Sequence, residues 1–97
     1  MKIAVTATEK DLTSNIDPRF GRCAYFAVVD TDSQEVEFLP NDNKELNSGA
    51  GIQAATFIAS NNVRAVITGN CGPNAIQVLA TAGIDIYTGG AGKTVNE

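Results

Sequence analysis

Apolar residues recur along the chain in short runs, and their spacing changes character halfway. In Lys2–Thr6, Ile3 and Val5 alternate with smaller or polar neighbours and predict a short strand. A polar stretch over 7–22 follows, punctuated by Asp17-Pro18 and Gly21. Tyr25–Val29 is almost continuously apolar and predicts a strand buried on both faces. Thr31–Gln34 reads as a turn, and Glu35–Leu39 alternates as a third strand stopped by Pro40. So short a turn implies an antiparallel hairpin. Residues 41–48 are polar and predict a loop.

Beyond Gly49-Ala50-Gly51 the period becomes helical. Ile52, Ala55, Ile58 and Ala59 mark one face of a helix ending near Asn61-Asn62. Ala65–Thr68 predicts a fourth strand. Pro73 suits the first position of a second helix, where its missing N–H costs nothing. Ala75, Val78, Leu79 and Ala82 form that helix's buried face, with Gly83 as C-terminal cap. Ile84–Tyr87 predicts a fifth strand, and Thr94–Glu97 reads as the start of a further helix.

The predicted order is β-β-β-α-β-α-β, an α/β fold. Right-handed crossovers set the fourth and fifth strands parallel to the first, with the second antiparallel. A mixed sheet ordered 3-2-1-4-5, with helices on both faces, satisfies these rules and is the ribonuclease-H-like arrangement. Cys23 and Cys71 are then expected to border one solvent-accessible crevice at one end of the sheet, where open α/β sheets bind ligands.

Ninety-seven residues suit a single domain, 1–97, with one core. A net charge of −4 argues against nucleic acid or an anionic membrane as the main partner. No apolar run approaches the roughly 20 residues that span a bilayer. The opening Met1–Thr6 is too short for a signal-peptide core. Two cysteines without such a leader point to a reducing compartment, so the expected location is the cytoplasm and the thiols are free or metal-bound.

With no histidine in the chain, these two sulfurs are the evident soft ligands. Cys71 lies between Asn70 and Gly72, just before a helix N-terminus whose partial positive charge favours thiolate. Cys23 follows Arg22 and is near Arg19, which act in the same direction. Two thiols do not close a zinc site, so a bound centre needs inorganic ligands, Asn or backbone groups, or a second protomer. The planar fork of Arg22 suits an anionic cluster or oxyanion. The alternatives for it are an ion pair with Asp17 or a solvated side chain. The N–H groups at Gly49 and Gly51 suit an anion, although Gly-x-Gly here lacks a dinucleotide fingerprint and no nucleotide is expected. The same segment also reads as a tight loop allowing close helix–sheet packing. Both cysteines also read as small, half-buried packing residues. A nuclease built on this sheet needs carboxylates on the central strands, and Ile3–Thr6 and Val66–Thr68 contain none.

Three stretches also carry a family likeness: Phe20-Gly21-Arg22 with Val29-Asp30-Thr31, Gly49–Ala55, and Gly72–Ala75 with Ala82-Gly83-Ile84. Over nearly its whole length the chain resembles the dinitrogenase iron-molybdenum cofactor biosynthesis family, small domains related to nitrogenase cofactor carriers. The resemblance implies an iron-molybdenum-type or other metal–sulfur cluster as ligand, and donor and acceptor proteins for it as partners. Many members carry histidine where this chain has Arg19 and Ser48, so their mode of binding does not transfer intact. The family's C-terminal helix is also expected to be truncated or incomplete here.

Cofactor binding is thus expected at Arg22, Cys23, Gly49, Gly51, Asn70, Cys71 and Gly72, with Cys23 and Cys71 as metal ligands. Without histidine or a paired carboxylate, no catalytic residue is expected. The expected function is a non-catalytic domain, monomeric or weakly dimeric, that carries an anionic metal–sulfur species. The alternatives are a metal-free regulatory module and a thiol-redox protein.

Overall fold

The computed structural model describes residues 1–10, 15–41 and 49–88. Its elements are β1 (Lys2–Ala7), β2 (Tyr25–Asp30), β3 (Val36–Pro40), α1 (Ala50–Ala59), β4 (Val63–Ile67), α2 (Pro73–Thr81) and β5 (Asp85–Tyr87). They build one five-stranded sheet in the order β3-β2-β1-β4-β5. β1 pairs antiparallel with β2 and parallel with β4; β2–β3 is antiparallel and β4–β5 parallel. The sheet order and strand directions are those expected from the crossover rules.

β4 begins two residues ahead of the apolar run that predicts it. A register shift between Lys2 and Ile3 pairs Lys2 with Val63 and Ile3 with Ala65. Arg64 is the residue passed over, and the local break in alternation hides the strand's start. Pro40 closes β3 from inside the strand, tolerated because β3 is an edge.

Alternation sorts the side chains into two layers. Ala4, Phe26, Val28, Val63 and Val66 pack with Ala54, Ala55 and Ile58 of α1 and Ala75 and Leu79 of α2. Phe20 and Phe26 meet at 5.6 Å between ring centroids, and Phe26 and Phe57 at 6.1 Å. This aromatic line ties the loop before β2 to the sheet and to α1. The other face carries Val5, Ala7, Ile16 and Ala27, ringed by Ile3, Tyr25, Val36, Phe38 and Ile67. Neither described helix contributes to it.

Both described helices therefore share one face, where helices on both faces were expected from the sheet order. The reason is the direction of travel. β3–α1–β4 and β4–α2–β5 cross the sheet the same way, so right-handedness puts both helices on the same side. The expected further helix at Thr94–Glu97 lies outside the described residues. No described helix is long and apolar enough to cross a membrane.

Candidate functional site

At the C-terminal ends of β1 and β4, three connections converge: residues 17–24, the start of α1, and residues 68–72. The first is fixed to the sheet by its own backbone. The Asp17 N–H donates to Thr6 O at 2.9 Å, and the Phe20 N–H to Asn70 O at 3.2 Å. The fully buried Thr6 and Thr68 hydroxyls lie 3.0 Å apart and share the Asp17 carbonyl oxygen at 2.6 and 3.4 Å. Gly69 permits this closeness, since a Cβ there would lie 2.6 Å from Pro18 Cα.

Asp17 is buried and organises Arg19. Its carboxylate accepts the Arg19 backbone N–H at 2.9 Å and the guanidinium Nε and Nη2 at 3.3 and 3.4 Å. The ion pair considered for Arg22 thus belongs to Arg19. Asp17 holds the guanidinium above its ordinary pKa, first by the hydrogen bond and then by its charge. Two-thirds of the Arg19 side chain remains in solvent.

The crevice between these loops has two joined lobes. The first, about 350 Å³, is lined by Arg19, Arg22, Asn70, Gly72 and Gly49–Gly51, beside Pro18, Phe20 and Gly21. The second, about 240 Å³, shares Phe20, Gly21, Gly49, Gly51 and Gly72 and adds Ile52, Pro73, Asn74 and Ala75. Together they fall in the range of small-molecule sites, about 300–1,000 Å³. No carboxylate is among the described residues lining either lobe, although the chain is net acidic.

Both helices present their N-termini to this crevice. Gly49, the N-cap of α1, has φ +76°, a conformation that favours glycine. Gly72, the N-cap of α2, is extended. Neither carries a side-chain cap, and neither first turn holds an acidic residue. First-turn N–H groups have no partner within their own helix, so they and the helix dipoles favour an anion. A Cβ at Gly49 or at Gly72 would meet nothing within 4 Å, so both glycines leave open space at the cradle.

The structure thus brings together Arg22, Gly49, Gly51, Asn70 and Gly72 of the expected residues. It does not bring the cysteines to the same surface. Cys23 and Cys71 belong to the core under the helices and line neither lobe. Cys23 is fully buried; its thiol donates to Phe20 O at 3.3 Å, and the Asn41 amide reaches the sulfur at 3.8 Å. Burial, and then the charge of Asp17, push the Cys23 thiol up to about 12. Burial also raises Cys71. The expected thiolates are therefore corrected to neutral thiols, because desolvation outweighs the nearby arginines and helix terminus. As metal ligands in an accessible crevice, both are withdrawn from solvent. Among the described residues, no group of three or more His, Cys, Asp or Glu could hold a metal ion.

Sequence reasoning passed over Arg19 as a crevice residue and Asn41 as its scaffold. The Asp-Pro-Arg order carried the signal for Arg19, since an aspartate side chain commonly takes the N–H two residues on. Nothing local marks Asn41.

Fold and crevice together define a small mixed α/β domain of ribonuclease-H-like sheet order, with a glycine-rich crevice at the C-terminal ends of β1 and β4. The sequence model of the dinitrogenase iron-molybdenum cofactor family matches residues 1–97, and the chain belongs to that family of cofactor-associated domains. An uncharacterized protein of Methanocaldococcus jannaschii is 36% identical over 90 residues, 90% of this chain and 73% of that protein. The apo form of the orange protein from Desulfovibrio gigas superposes with a TM-score of 0.95 at 42% identity, over 98% of this chain and 80% of that one. A Thermotoga protein described as a candidate NifB gives 0.85 at 33% identity, over 99% of this chain and 81% of that one.

Proposed function

We propose that this domain binds an anionic metal–sulfur species in the two-lobed crevice and passes it between donor and acceptor proteins, catalysing no reaction of its own. One observation carries the reading. Arg19 and Arg22 meet two helix N-termini without side-chain caps in one crevice, and no carboxylate is among the described residues lining it. The family supports the cargo's class, because its name attaches to an iron-molybdenum cofactor. The cargo arrives with its own sulfide ligands already around the metal, so the protein needs only to supply hydrogen-bond donors and positive potential. Ile52, Pro73 and Ala75 give the second lobe an apolar wall, which suits weakly hydrated sulfide better than a hard oxyanion. Thiol-redox function is disfavoured by the same geometry: both thiols are buried and neutral, and redox cysteines need exposure and a lowered pKa.

The test is anaerobic titration with tetrathiomolybdate and with molybdate, read by visible absorbance and by molybdenum content after desalting. Arg22→Ala and the double variant Cys23→Ala/Cys71→Ala are compared with the unaltered chain. Loss of a charge-assisted contact should weaken binding about tenfold or more in Arg22→Ala. The folded double cysteine variant should bind as the unaltered chain does. Equal binding by Arg22→Ala removes that residue from the site, and failure of the unaltered chain to retain either anion leaves a regulatory interaction module as the reading.

A further inference from the structure

We infer that Asn41 is the positioning residue of the crevice: its buried amide holds the loop before β2 so that Arg22 stays on the crevice rim. The inference rests on the crevice being an anion site. Asn41 follows the last residue of the edge strand β3 and is 3% exposed. Its Nδ2 donates to Gly21 O at 3.1 Å and to Cys23 O at 3.0 Å. Its backbone N–H donates to Ala24 O at 3.0 Å. The two hydrogens of one amide group therefore bracket Arg22, taking the carbonyl before it and the carbonyl after it. Holding both carbonyls fixes the backbone at Arg22 and so the direction in which its side chain leaves the chain.

The residue type is suited to the task. Two donors on one planar nitrogen are needed within a short reach, and only an amide side chain offers them without charge. Aspartate would set a carboxylate against two carbonyl oxygens, serine would supply one hydrogen, and glutamine would be one methylene too long. Arg22 itself is exposed, and its long side chain carries several rotatable bonds. A fixed backbone at its root narrows the region that side chain samples, so less order is left for a ligand to impose. Asn41 is not itself among the residues lining the two lobes; it holds Gly21, which lines both, and through that loop it positions Arg22.

The experiment has two arms, using Asn41→Ala, Arg22→Ala and the double variant. In the first, tetrathiomolybdate affinity is measured by equilibrium dialysis. Asn41→Ala should weaken binding severalfold, and the double variant should be no weaker than Arg22→Ala, as expected for residues that act as one unit. Fold-losses that multiply would overturn the inference. In the second, native-state trypsin cleavage after Arg22 is compared with cleavage after Arg64, which sits in a strand paired on both sides. Asn41→Ala should accelerate cleavage after Arg22 about tenfold beyond any change at Arg64, reporting local release of the loop. Equal acceleration at both bonds would show general destabilisation and overturn the inference. If the unaltered chain does not bind tetrathiomolybdate, the anion reading falls, and the Asn41 tether stands or falls on the cleavage ratio alone.

Discussion

Gly21 is where the arginine loop lies directly on the start of α1, and replacing it with alanine probes that seam. A Cβ at Gly21 would lie 2.8 Å from both Gly51 Cα and Gly51 N, and 3.2 Å from the Ala50 carbonyl carbon. All three are backbone atoms, so no side chain can swing aside. The loop and the helix must separate from 2.8 Å to the 3.4 Å at which ordinary contact begins. On the far side, a Cβ at Gly51 would meet Ala75 Cβ of α2 at 3.4 Å, an ordinary contact distance, so α2 limits how far the start of α1 can retreat. The loop is held from the other side by the Phe20–Asn70 hydrogen bond and the Asn41 amide. Overpacking of this kind costs about 1–3 kcal/mol. In a domain of this size the thermal midpoint should fall by roughly 5–20 °C. A glycine-to-alanine change at an unstrained site does the opposite, stabilising by about 0.4–1 kcal/mol through the unfolded chain. The sign is thus diagnostic. Circular-dichroism melts of Gly21→Ala and the unaltered chain decide it, and a midpoint equal to or above the unaltered one would refute the seam as described.

Two further outcomes are expected. Gly72→Val introduces side-chain atoms where a Cβ meets nothing, so its melting midpoint should stay within a few degrees while tetrathiomolybdate binding weakens severalfold; unchanged binding would put the anion elsewhere. Cys23 binds its proton more tightly folded, with a pKa near 12, than unfolded, where a thiol's ordinary value is 9.0. The unfolded chain therefore loses that proton first, and stability present below pH 9 falls as pH rises towards 12, by at most about 1.4 kcal/mol per pH unit. Urea melts of Cys23→Ala and the unaltered chain across that range check the sign: the variant should lose less stability, and identical slopes would contradict the buried thiol.

The strand and helix order was readable because each element carries a clean period and ends on a residue with a reason to stop it. Gly83 at φ +77° and Pro73 opening α2 are cases where local chemistry alone suffices. The order of the sheet followed from crossover handedness, and the siding of the helices needed the same rule followed through both crossovers. The crevice was readable in part. Its glycines and Arg22 announce themselves, since positive φ, close approach and planar donors are properties of single residues. The fate of the thiols was not readable, because burial is set by distant partners. Asn41, 18 residues away along the chain, reaches the Cys23 carbonyl and sulfur, and Cys23 shares its core cluster with Ile58 and Leu79 of the helices. A local rule sees the arginine beside the cysteine and misses the core that excludes water from it.

The donors at the helix starts belong to the main chain, and every amino acid except proline supplies the same N–H. Substitution at the exposed Asn74 thus leaves the hydrogen-bonding groups in place, and the sequence there is free to drift while main-chain donors persist. Intolerance concentrates instead where a methyl group would intrude on a neighbouring backbone or enter open space at the crevice, at Gly21, Gly49 and Gly72. In a deep mutational scan scored for anion retention, the site would register as a scatter of forbidden side chains instead of a set of required ones. Surveys that look for histidine and cysteine clusters would pass over such a protein, while a map of where Cβ atoms are refused would find it.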